Sequence, residues 1–247
     1  MKAVILAAGK GKRLLSEQHN MPKVLREAHN KPLLRYVVEN LSFVEDKKDL
    51  ILVVGYKKEL VYEAFQDAPY TFVSQDEQLG TGHAVNCARD VLKDYDGPVL
   101  ICYGDMPLFK ESTYQNLLDT HMKEGNDCTV LTGTTHLKLA YGRVVRDAQG
   151  KFDRVVEDKD CTPEQKEIKE LNVGVYVFDN QKMLSVLGEL KNNNNQGEYY
   201  LTDVPKLMMG KGWKIGTAST SDPYELLGVN TPEELALCED ILDGKVK

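Results

Sequence analysis

Short apolar runs alternate with helical patterns through the first half of the chain. Four runs consist almost entirely of apolar or β-branched residues, namely 2–7, 50–54, 71–74 and 98–103. Strands that are buried on both faces of a parallel sheet have this continuous apolar character. The segments at 31–44 and 81–92 place apolar residues at the period of a helix. The alternation predicts an α/β fold with a Rossmann-like, doubly wound and mostly parallel sheet.

The second half is less regular, and we expect it to contribute a smaller β lobe. Strand patterns at 144–146 and 154–157 flank a turn signal and predict a hairpin. Further elements are expected at 112–123 (a helix that ends at Gly125), 172–179 (a strand), 213–218 (a strand) and 231–242 (a helix). Thr231 and Glu234 form a capping box at the start of the last helix. The buried face of that helix is expected to hold Leu235, Cys238, Ile241 and Leu242.

Positive charge is concentrated near the N-terminus. The chain has a formal charge of −7, yet residues 1–35 hold eight Lys or Arg side chains and only two acidic ones. A cationic patch on an acidic protein favours a small anion as ligand. Nucleic acids and anionic membranes bind broadly basic surfaces, so neither is expected as a partner. A solvated basic helix face is the alternative interpretation of the patch.

Composition also excludes several classes of protein. No apolar run approaches the roughly 18 residues that span a bilayer. The short apolar stretch at the N-terminus is interpreted as the first strand and not as a signal peptide. The five cysteines form no CxxC pair and mostly have apolar neighbours. We therefore expect reduced cysteines and a cytoplasmic protein.

The loop after the first strand is typical of a phosphate-binding segment. Two glycines end the strand and four cations accompany them: Gly9, Gly11, Lys10, Lys12, Arg13 and Lys23. Leu14 stands where the third glycine of a dinucleotide-binding loop belongs, and the chain contains no G-x-x-x-x-G-K-[ST] string. A tight turn is the alternative for the glycines alone, but the adjacent cations favour a polyphosphate.

Loops that follow parallel strands meet at one edge of the sheet, where ligands of such folds bind. Gln75 follows the strand at 71–74, and Asp105 follows the strand at 98–103. Asp105 is placed to hold Mg²⁺ against phosphate oxygens, unless it is an ordinary turn residue. Gln75 offers a donor and an acceptor to the edge of a pyrimidine, unless it is an ordinary loop glutamine.

Polar residues elsewhere add three weaker signals. Gly80 and Thr81 begin the helix at 81–92, where free N–H groups suit an anion or a base carbonyl, or simply a cap. Glu157 and Asn172 stand among apolar neighbours at strand positions. A carboxylate and an amide in such places suit a hydroxyl-rich ligand, and a surface salt bridge is the alternative.

Taken together, these strings resemble the motifs of the sugar-nucleotide pyrophosphorylases. In the first half the matching strings are LAAGKGKRL (6–14), PKVL (22–25), SQDEQLGTGHAV (74–85) and YGDMPL (103–108). In the second half they are YGRVVRD (141–147), VVEDKDCTPEQKEIKELNVGVYVF (155–178), NNNNQGEYYLTDV (192–204) and GVNT (228–231). Within the family, the chain is similar to the uridylyltransferase domains of bacterial bifunctional uridylyltransferase/acetyltransferases. The resemblance covers nearly the whole chain.

The resemblance implies a role for each matched residue. Nucleotide contacts are implied for Leu6, Ala7, Ala8, Gly9, Lys23, Gln75, Gly80, Thr81, Gly104 and Asp105. Catalytic roles are implied for Arg13, Lys23 and Asp105, and Mg²⁺ would be shared by Asp105 and Asn230. An amino-sugar pocket would be lined by Tyr103, Gly142, Glu157, Asn172, Tyr200 and Thr202. The single domain, 1–247, would then have a nucleotide-binding lobe (about 1–110), a sugar-binding lobe (about 111–230) and a C-terminal helix (231–247).

Three departures from the family pattern bear on these expectations. Lys12 stands where the family usually has threonine, and the loop at 14–21 is a few residues longer than usual and would lie over the triphosphate. The sequence stops after the helix at 231–242, so we expect no β-helix acetyltransferase domain and no acetyl-CoA activity. The oligomeric state and any separate acetyltransferase partner stay open.

The resemblance implies a transferase that forms a cell-wall precursor. The expected substrates are UTP and N-acetylglucosamine-1-phosphate, and the expected products are UDP-N-acetylglucosamine and pyrophosphate. A phosphate oxygen would attack the α-phosphorus in line, so no protein nucleophile is needed. Two alternatives stay open: another sugar-1-phosphate or nucleotide as substrate, or a nucleotide-sugar-binding subunit without turnover. A Rossmann oxidoreductase is excluded by the missing third glycine.

Overall fold

Strands and helices alternate along the computed structural model, which describes residues 1–14 and 18–246. The strands are β1 Lys2–Ala7, β2 Glu27–Ala28, β3 Lys31–Pro32, β4 Leu50–Val54, β5 Thr71–Ser74, β6 Pro98–Tyr103, β7 Cys128–Gly133, β8 Arg143–Arg146, β9 Phe152–Val156, β10 Leu171–Asp179 and β11 Ile215–Thr220. The α-helices are α1 Leu33–Glu39, α2 Lys58–Ala64, α3 Thr81–Cys87, α4 Arg89–Leu92, α5 Glu111–Glu124, α6 Pro163–Lys166, α7 Asn180–Leu187, α8 Val204–Gly210 and α9 Pro232–Leu242.

One mixed sheet forms the centre of the described part of the chain. Its order is β11-β7-β10-β6-β1-β4-β5, and the β8–β9 hairpin joins it through β10. The pairs β1–β4, β1–β6, β4–β5 and β7–β11 are parallel. β10 runs antiparallel to both β6 and β7. The predicted doubly wound α/β fold with a mostly parallel sheet is therefore confirmed, with one antiparallel strand inside it.

Both faces of the sheet are covered, as β1 shows. Val4 and Leu6 point into a core cluster that also contains side chains of α3, α7 and α8. Ala3, Ile5 and Ala7 point to the opposite side, into a cluster with α1 and α5. Successive side chains of a strand alternate between faces, so a strand with helices on both sides must be apolar throughout. This explains the uninterrupted apolar run at the start of the chain.

The strand order reverses at β1, and this reversal places the ligand-binding edge. The chain passes from β1 outward through β4 and β5, and then returns to the other side of β1 to form β6. The loops after β1 and β6 therefore leave neighbouring parallel strands at the point where the order reverses. Open α/β sheets bind ligands in the crevice that such a reversal opens.

Most predicted elements are confirmed, but several boundaries differ. Helix α1 is shorter than the predicted segment at 31–44, because the chain continues from Glu39 as tight turns. Leu41 and Val44 are fully buried in those turns, so the apolar pattern continues beyond the end of the helix. The segment at 81–92 is divided into α3 and α4 at Ala88. Gly125 ends α5 in the left-handed conformation, as predicted.

Other elements were not anticipated from the sequence. β7 is buried along its whole length, but its two threonines interrupt the apolar run that would mark such a strand. Helices α7 and α8 also lie outside the predicted elements, and β11 lies two residues beyond the predicted strand at 213–218. On α9 the capping box at Thr231 is confirmed, whereas the expected burial of Leu242 is wrong, since its side chain is exposed.

Two further observations concern compartment and membrane. All five cysteines lie within the described residues and are unpaired. Among the helices of residues 1–14 and 18–246, none combines the length and the hydropathy needed to cross a bilayer.

The capping box of α9 offers a test of this part of the fold. The Thr231 hydroxyl accepts a hydrogen bond from the Glu234 N–H at 3.2 Å, and the Glu234 carboxylate accepts one from the Thr231 N–H at 3.0 Å. We expect Thr231→Ala to lower the free energy of unfolding by about 1 kcal/mol, the usual cost of losing such a cap. Urea denaturation measures this loss. Thr231→Ser keeps the hydroxyl, and an equal loss in that variant would contradict the role of the cap.

Candidate active site

A cavity lies at the carboxyl edge of β1, β5 and β6. Nine of the ten residues expected to contact a nucleotide line it: Leu6, Ala7, Ala8, Gly9, Lys23, Gln75, Gly80, Thr81 and Asp105. These residues come from four separate segments of the first half. The parallel strands bring them together, as the position of the loops after each strand predicted. We call this the first cavity.

Gly104 is the exception among the ten, and its expected role as a nucleotide contact stays a prediction. The residue is buried beneath the loop and is absent from the cavity lining. Its N–H donates to the carbonyl of Leu6 at 3.0 Å. A Cβ at this position would lie 2.9 Å from the Leu34 side chain and 3.2 Å from that of Val24. Gly104 therefore lets the β6 loop pack closely against β1.

Backbone contacts hold the walls of the first cavity. The Tyr56 N–H donates to the carbonyl of Ala8 at 3.3 Å, and the Gln75 N–H donates to the carbonyl of Val54 at 2.7 Å. Gly80 has a φ of +112°, and a Cβ there would lie 2.6 Å from the Tyr199 carbonyl oxygen. Only glycine fits this conformation and this approach. The start of α3 is thus fixed against the 198–201 segment.

Lys23 lies between the two residues expected to bind the metal. Its ammonium group donates to the Asp105 carboxylate and, at 2.6 Å, to the Asn230 side-chain oxygen. The lysine is only 9% exposed. A short 3₁₀ turn, Lys23–Leu25, holds it in place, and Val24 and Leu25 anchor that turn in the core. Three residues distant in sequence therefore converge at one point.

Hydrogen bonds orient Asn230 toward this point. Its amide nitrogen donates to the carbonyl of Gly228 at 2.9 Å, which directs the amide oxygen toward Lys23. Its backbone N–H donates to the Glu234 carboxylate at 2.6 Å. The Val229 N–H donates to the carbonyl of Asp105 at 2.9 Å, so the two loops are joined directly.

The Asp105 and Asn230 oxygens fit a divalent cation. Both oxygens already face one positively charged group, which shows that they converge where a cation is stabilised. A carboxylate and an amide oxygen are ligands that Mg²⁺ accepts, usually together with phosphate oxygens and waters. Within residues 1–14 and 18–246, no group of three or more His, Cys, Asp or Glu side chains could hold a metal ion. The pair would therefore need further oxygens from a ligand.

A second cavity adjoins the first one on the side of the β8–β9 hairpin. Four of the six residues expected to contact a sugar line it: Tyr103, Gly142, Glu157 and Asn172. Asp105 and Asn230 also line it. Tyr103 and Asp105 belong to the walls of both cavities. The two cavities therefore meet at the end of β6.

A bulge in β10 shapes the second cavity. The register between β10 and β7 shifts between Asn172 and Tyr176. Gly174 lies within this bulge with a φ of +77°, and a Cβ there would lie 2.2 Å from the Tyr103 ring. The missing side chain leaves the space that the Tyr103 ring occupies. A bulge of this kind re-aims the side chains beside it, and here Asn172 faces the cavity.

Glu157 is a second carboxylate of the second cavity, beside Asp105. It follows β9, and the Thr202 hydroxyl donates to its Oε1 at 2.9 Å. Burial raises the pKa of Glu157 above its ordinary value, and the nearby acidic residues Asp203, Asp160 and Glu198 add to the rise, while the Thr202 hydroxyl opposes it. One Glu157 oxygen is thus oriented by the protein, and the carboxylate can accept hydrogen bonds from a ligand.

Tyr200 and Thr202 are absent from the lining of the second cavity, and their expected contacts with a sugar stay predictions. Thr202 lies behind Glu157 and acts on it through the hydrogen bond just described. The Tyr200 hydroxyl donates to Asp160 at 3.1 Å and accepts from Gln196 at 2.9 Å. Both residues are buried. Tyr200 and Thr202 thus lie behind the residues that line the second cavity. Their spacing along the chain could not reveal this arrangement.

Arg13 is not brought together with the other two residues expected to be catalytic. Its side chain is exposed and lines a separate, neighbouring cavity with Glu157, Asp158 and Lys159. Lys23 and Asp105 line the first cavity instead. The expectations for the Lys12 side chain and for the longer loop at 14–21 concern positions that lie at least partly outside the described residues.

Several residues of the two cavities were not anticipated. Gln78 and Glu198 line the first cavity, and Tyr141 and Gly228 line the second. Tyr141 directly precedes Gly142, and Gly228 lies two residues before Asn230. Both could therefore have been found from their closeness in sequence to predicted site residues. The Tyr141 hydroxyl accepts a hydrogen bond from the Gly228 N–H at 3.0 Å. Glu198 lies two residues before Tyr200, within the matched string at 192–204.

The arrangement agrees with a family model. The model described as "Nucleotidyl transferase" matches residues 2–220. The chain belongs to the nucleotidyl transferase family. This assignment confirms the enzyme class expected from the motifs, and the matched range includes every residue of the first cavity.

Curated relatives within this nucleotidyl transferase group carry the name "Bifunctional protein GlmU". The protein of Clostridium novyi is 43% identical over 240 residues, which is 97% of this chain and 52% of the relative. That of Clostridium acetobutylicum is 44% identical over 238 residues, or 96% and 50% of the two chains. That of Streptococcus thermophilus is 40% identical over 244 residues, or 99% and 52%. The chain thus spans about half the length of these relatives.

A solved nucleotidyl transferase structure shares the fold. The structure titled "UDP-glucose pyrophosphorylase complexed with UDP-glucose" has a TM-score of 0.73 and covers 99% of both chains. Its sequence identity to this chain is 18%, so the likeness concerns the fold alone.

The raised pKa of Glu157 makes stability depend on pH in a defined direction. The folded state disfavours the ionised form of Glu157. Ionisation of this carboxylate therefore costs no stability at a pH below the pKa that Glu157 has in the unfolded chain, and it costs increasingly more as the pH rises above that pKa. We expect Glu157→Gln to melt a few degrees above the native protein near about pH 8 and at the same temperature near about pH 4. Thermal denaturation at both pH values measures this. A native protein more stable than the variant at about pH 8 would contradict it.

Proposed function

We propose that the protein transfers the uridylyl group of UTP to a sugar-1-phosphate, with N-acetylglucosamine-1-phosphate as the preferred acceptor and pyrophosphate as the second product. The observation that carries the proposal is that two cavities of different character meet at Tyr103 and Asp105. One is lined by the glycine loop at 6–9 and by Lys23, and the other by Glu157 and Asn172. Such a pair suits two substrates whose phosphates must come together.

The first cavity is suited to UTP. The segment after β1 supplies backbone at Ala7, Ala8 and Gly9, and Lys23 supplies a positive charge. Gln75, Gly80 and Thr81 line the same cavity, where they can contact a base. The cavity therefore offers groups suited both to a base and to phosphates.

The second cavity is suited to an amino sugar. The carboxylate of Glu157 can accept hydrogen bonds from ring hydroxyls, and Asn172 offers both a donor and an acceptor to an N-acetyl group. The curated GlmU relatives, at 40–44% identity over nearly the whole chain, support this choice of sugar. Because this chain spans about half of those relatives, only the uridylyl transfer is proposed for it.

The reaction needs positioning and charge neutralisation and no covalent intermediate with the protein. A phosphate oxygen of the sugar phosphate attacks the α-phosphorus of UTP in line, and the bond from that phosphorus to the pyrophosphate oxygen breaks. The attacking oxygen is already anionic at neutral pH, so no general base is required. Lys23 offsets charge on the phosphates as the bonds change, and Tyr103 separates the base side from the sugar side.

Mg²⁺ is the cofactor that we propose, held by Asp105 and Asn230. When it is bound, it supplies positive charge to the phosphate oxygens. Lys23 currently satisfies both oxygens, and its flexible side chain allows the ammonium to turn toward a phosphate. Arg13, whose exposed side chain lines the neighbouring cavity with Glu157, is proposed to act near the leaving pyrophosphate. We place the reaction in the cytoplasm, since unpaired cysteines fit a reducing compartment.

A product-release assay tests the proposal directly. The purified protein is mixed with Mg²⁺, one nucleoside triphosphate and one sugar-1-phosphate, and pyrophosphate is measured. UTP with N-acetylglucosamine-1-phosphate is expected to exceed UTP with glucose-1-phosphate by at least about tenfold in kcat/KM, because the glucose compound lacks the acetamido group. Faster turnover with glucose-1-phosphate would show that glucose-1-phosphate is the preferred acceptor. Binding of a UDP-sugar without any release of pyrophosphate would show that the protein is a binding subunit and not a transferase.

The role of Asp105 gives a second prediction. Asp105→Asn keeps the size of the side chain but removes its charge, so we expect kcat to fall by about 10²–10³-fold. Calorimetry of UTP binding with and without Mg²⁺ supplies a readout that does not depend on turnover. The native protein should bind UTP more tightly with Mg²⁺, and the variant should lose most of that difference.

Asp67→Asn is the matched control for this variant. Asp67 is a surface carboxylate that forms an ion pair with Arg35, away from both cavities. Its variant should keep the native kcat and the native effect of Mg²⁺. If Asp105→Asn, correctly folded by circular dichroism, keeps native turnover, the metal role assigned to Asp105 is refuted.

A further inference from the structure

The orientation of the Gln75 side chain raises a question that the proposed function does not answer. A glutamine amide presents a donor on one side and an acceptor on the other, so the same residue can favour opposite partners. Gln75 is 4% exposed and lines the first cavity. Which of its two ends faces the ligand decides which base it selects.

Gly80 and His83 both lie on the nitrogen side of this amide. Gln75 Nε2 is 3.1 Å from the carbonyl oxygen of Gly80 and 3.1 Å from Nδ1 of His83. A carbonyl oxygen can only accept, so the group that faces it must be the amide NH₂. Its second hydrogen then points at His83 Nδ1, which must carry a lone pair. Both hydrogens of the amide are therefore used within the protein.

The contacts of His83 agree with this assignment. A neutral imidazole whose Nδ1 accepts carries its proton on Nε2. Cys87 lies one helical turn further along α3, and its Sγ is 3.9 Å from Nε2 and 4.0 Å from Nδ1, so the Gln75 amide at 3.1 Å is the much closer partner of Nδ1. The backbone of Gln75 is fixed as well, by its bond to Val54 at 2.7 Å and by the Gln78 side chain at 3.3 Å from its carbonyl oxygen.

We propose that His83 is a positioning residue for base selection, which holds the Gln75 amide so that only its acceptor oxygen faces the nucleotide. No described residue donates to Gln75 Oε1, so this oxygen remains for a ligand. Uracil joined to ribose has a single N–H group, at N3, and a fixed acceptor matches it. Cytosine presents a lone pair at N3 and meets the same oxygen with repulsion. The inference rests on the proposed function and deepens it, because it gives a cause for the choice of UTP.

Two variants of His83 separate positioning from packing. His83→Leu fills much of the same volume but cannot accept a hydrogen bond, so the Gln75 amide is free to turn. His83→Asn carries an oxygen close to the position of Nδ1 and can accept the same bond. Cys87→Ala, on the same helix, removes the neighbouring thiol and leaves the Gln75 contact intact. Circular dichroism and melting temperature establish that each variant is folded.

The experiment compares UTP, CTP and 3-methyl-UTP in steady-state kinetics with N-acetylglucosamine-1-phosphate and Mg²⁺. For His83→Leu we expect KM for UTP to rise about tenfold with kcat within about twofold, which corresponds to the loss of one oriented hydrogen bond. The preference for UTP over both analogues should fall by about the same factor. His83→Asn should recover most of the lost preference, and Cys87→Ala should match the native protein.

Two outcomes overturn the inference. Native KM and native selectivity in His83→Leu would show that the histidine does not orient the amide. Equal impairment in the Leu and Asn variants would show that His83 acts through packing alone.

Binding measurements keep this inference separate from the proposed function. Calorimetry with UMP and 3-methyl-UMP reports base selection without any turnover. If the native protein releases no pyrophosphate but binds UMP selectively, and His83→Leu loses that selectivity, the proposed function fails and the inference stands. If the native protein turns over UTP but the variants bind both nucleotides as the native protein does, the inference fails alone.

Discussion

The contact of the Lys23 ammonium with Asp105 and Asn230 is the interaction on which the site depends. A partly buried carboxylate without a counter-charge is unfavourable, and the Lys23 ammonium offsets that cost while the Asp105 and Asn230 oxygens stay aligned. In the proposed reaction the same three groups would hold Mg²⁺ and a phosphate, because the cation would take the place of the ammonium and the phosphate would receive the ammonium. The charges at this point would then be balanced both before and after the ligand arrives.

The sheet explains why these groups meet at all. Lys23 follows β1, Asp105 follows β6, and the two strands are neighbours at the reversal of strand order. A carboxyl-edge position could therefore be predicted for both from the alternation of apolar runs and helices. The second cavity depends on β10, which enters the sheet antiparallel and carries a bulge. No simple period in the sequence marks a bulge, and its shape was accessible only from the structure.

The site residues divide in the same way: some could be predicted from their place at the end of a strand, and others could not. Gln75 and Asp105 stand directly after strands, so their position followed from the fold. Asn230 could be assigned only through the resemblance, since an asparagine ahead of a capped helix is not by itself a sign of metal binding. Gly104 and Thr202 lie within the matched strings, and the structure adds that Gly104 packs closely against β1 and that Thr202 donates a hydrogen bond to Glu157. The place of a residue in a family motif indicates that it belongs to the site. The contacts of that residue in the structure then show whether it lines a cavity or supports a residue that does.

The hydrogen bond from the Val229 N–H to the carbonyl of Asp105 has a consequence for how the protein becomes competent. It joins the segment at 228–230 to the loop that follows β6. A polypeptide emerges from the ribosome starting at its N-terminus, so the glycine loop and most of the sheet are made before Asn230 exists. Asp105 and Asn230 can therefore meet only after both halves of the sheet have been synthesised, and a nascent chain can form the glycine loop before the Lys23 ammonium has both of its oxygen partners.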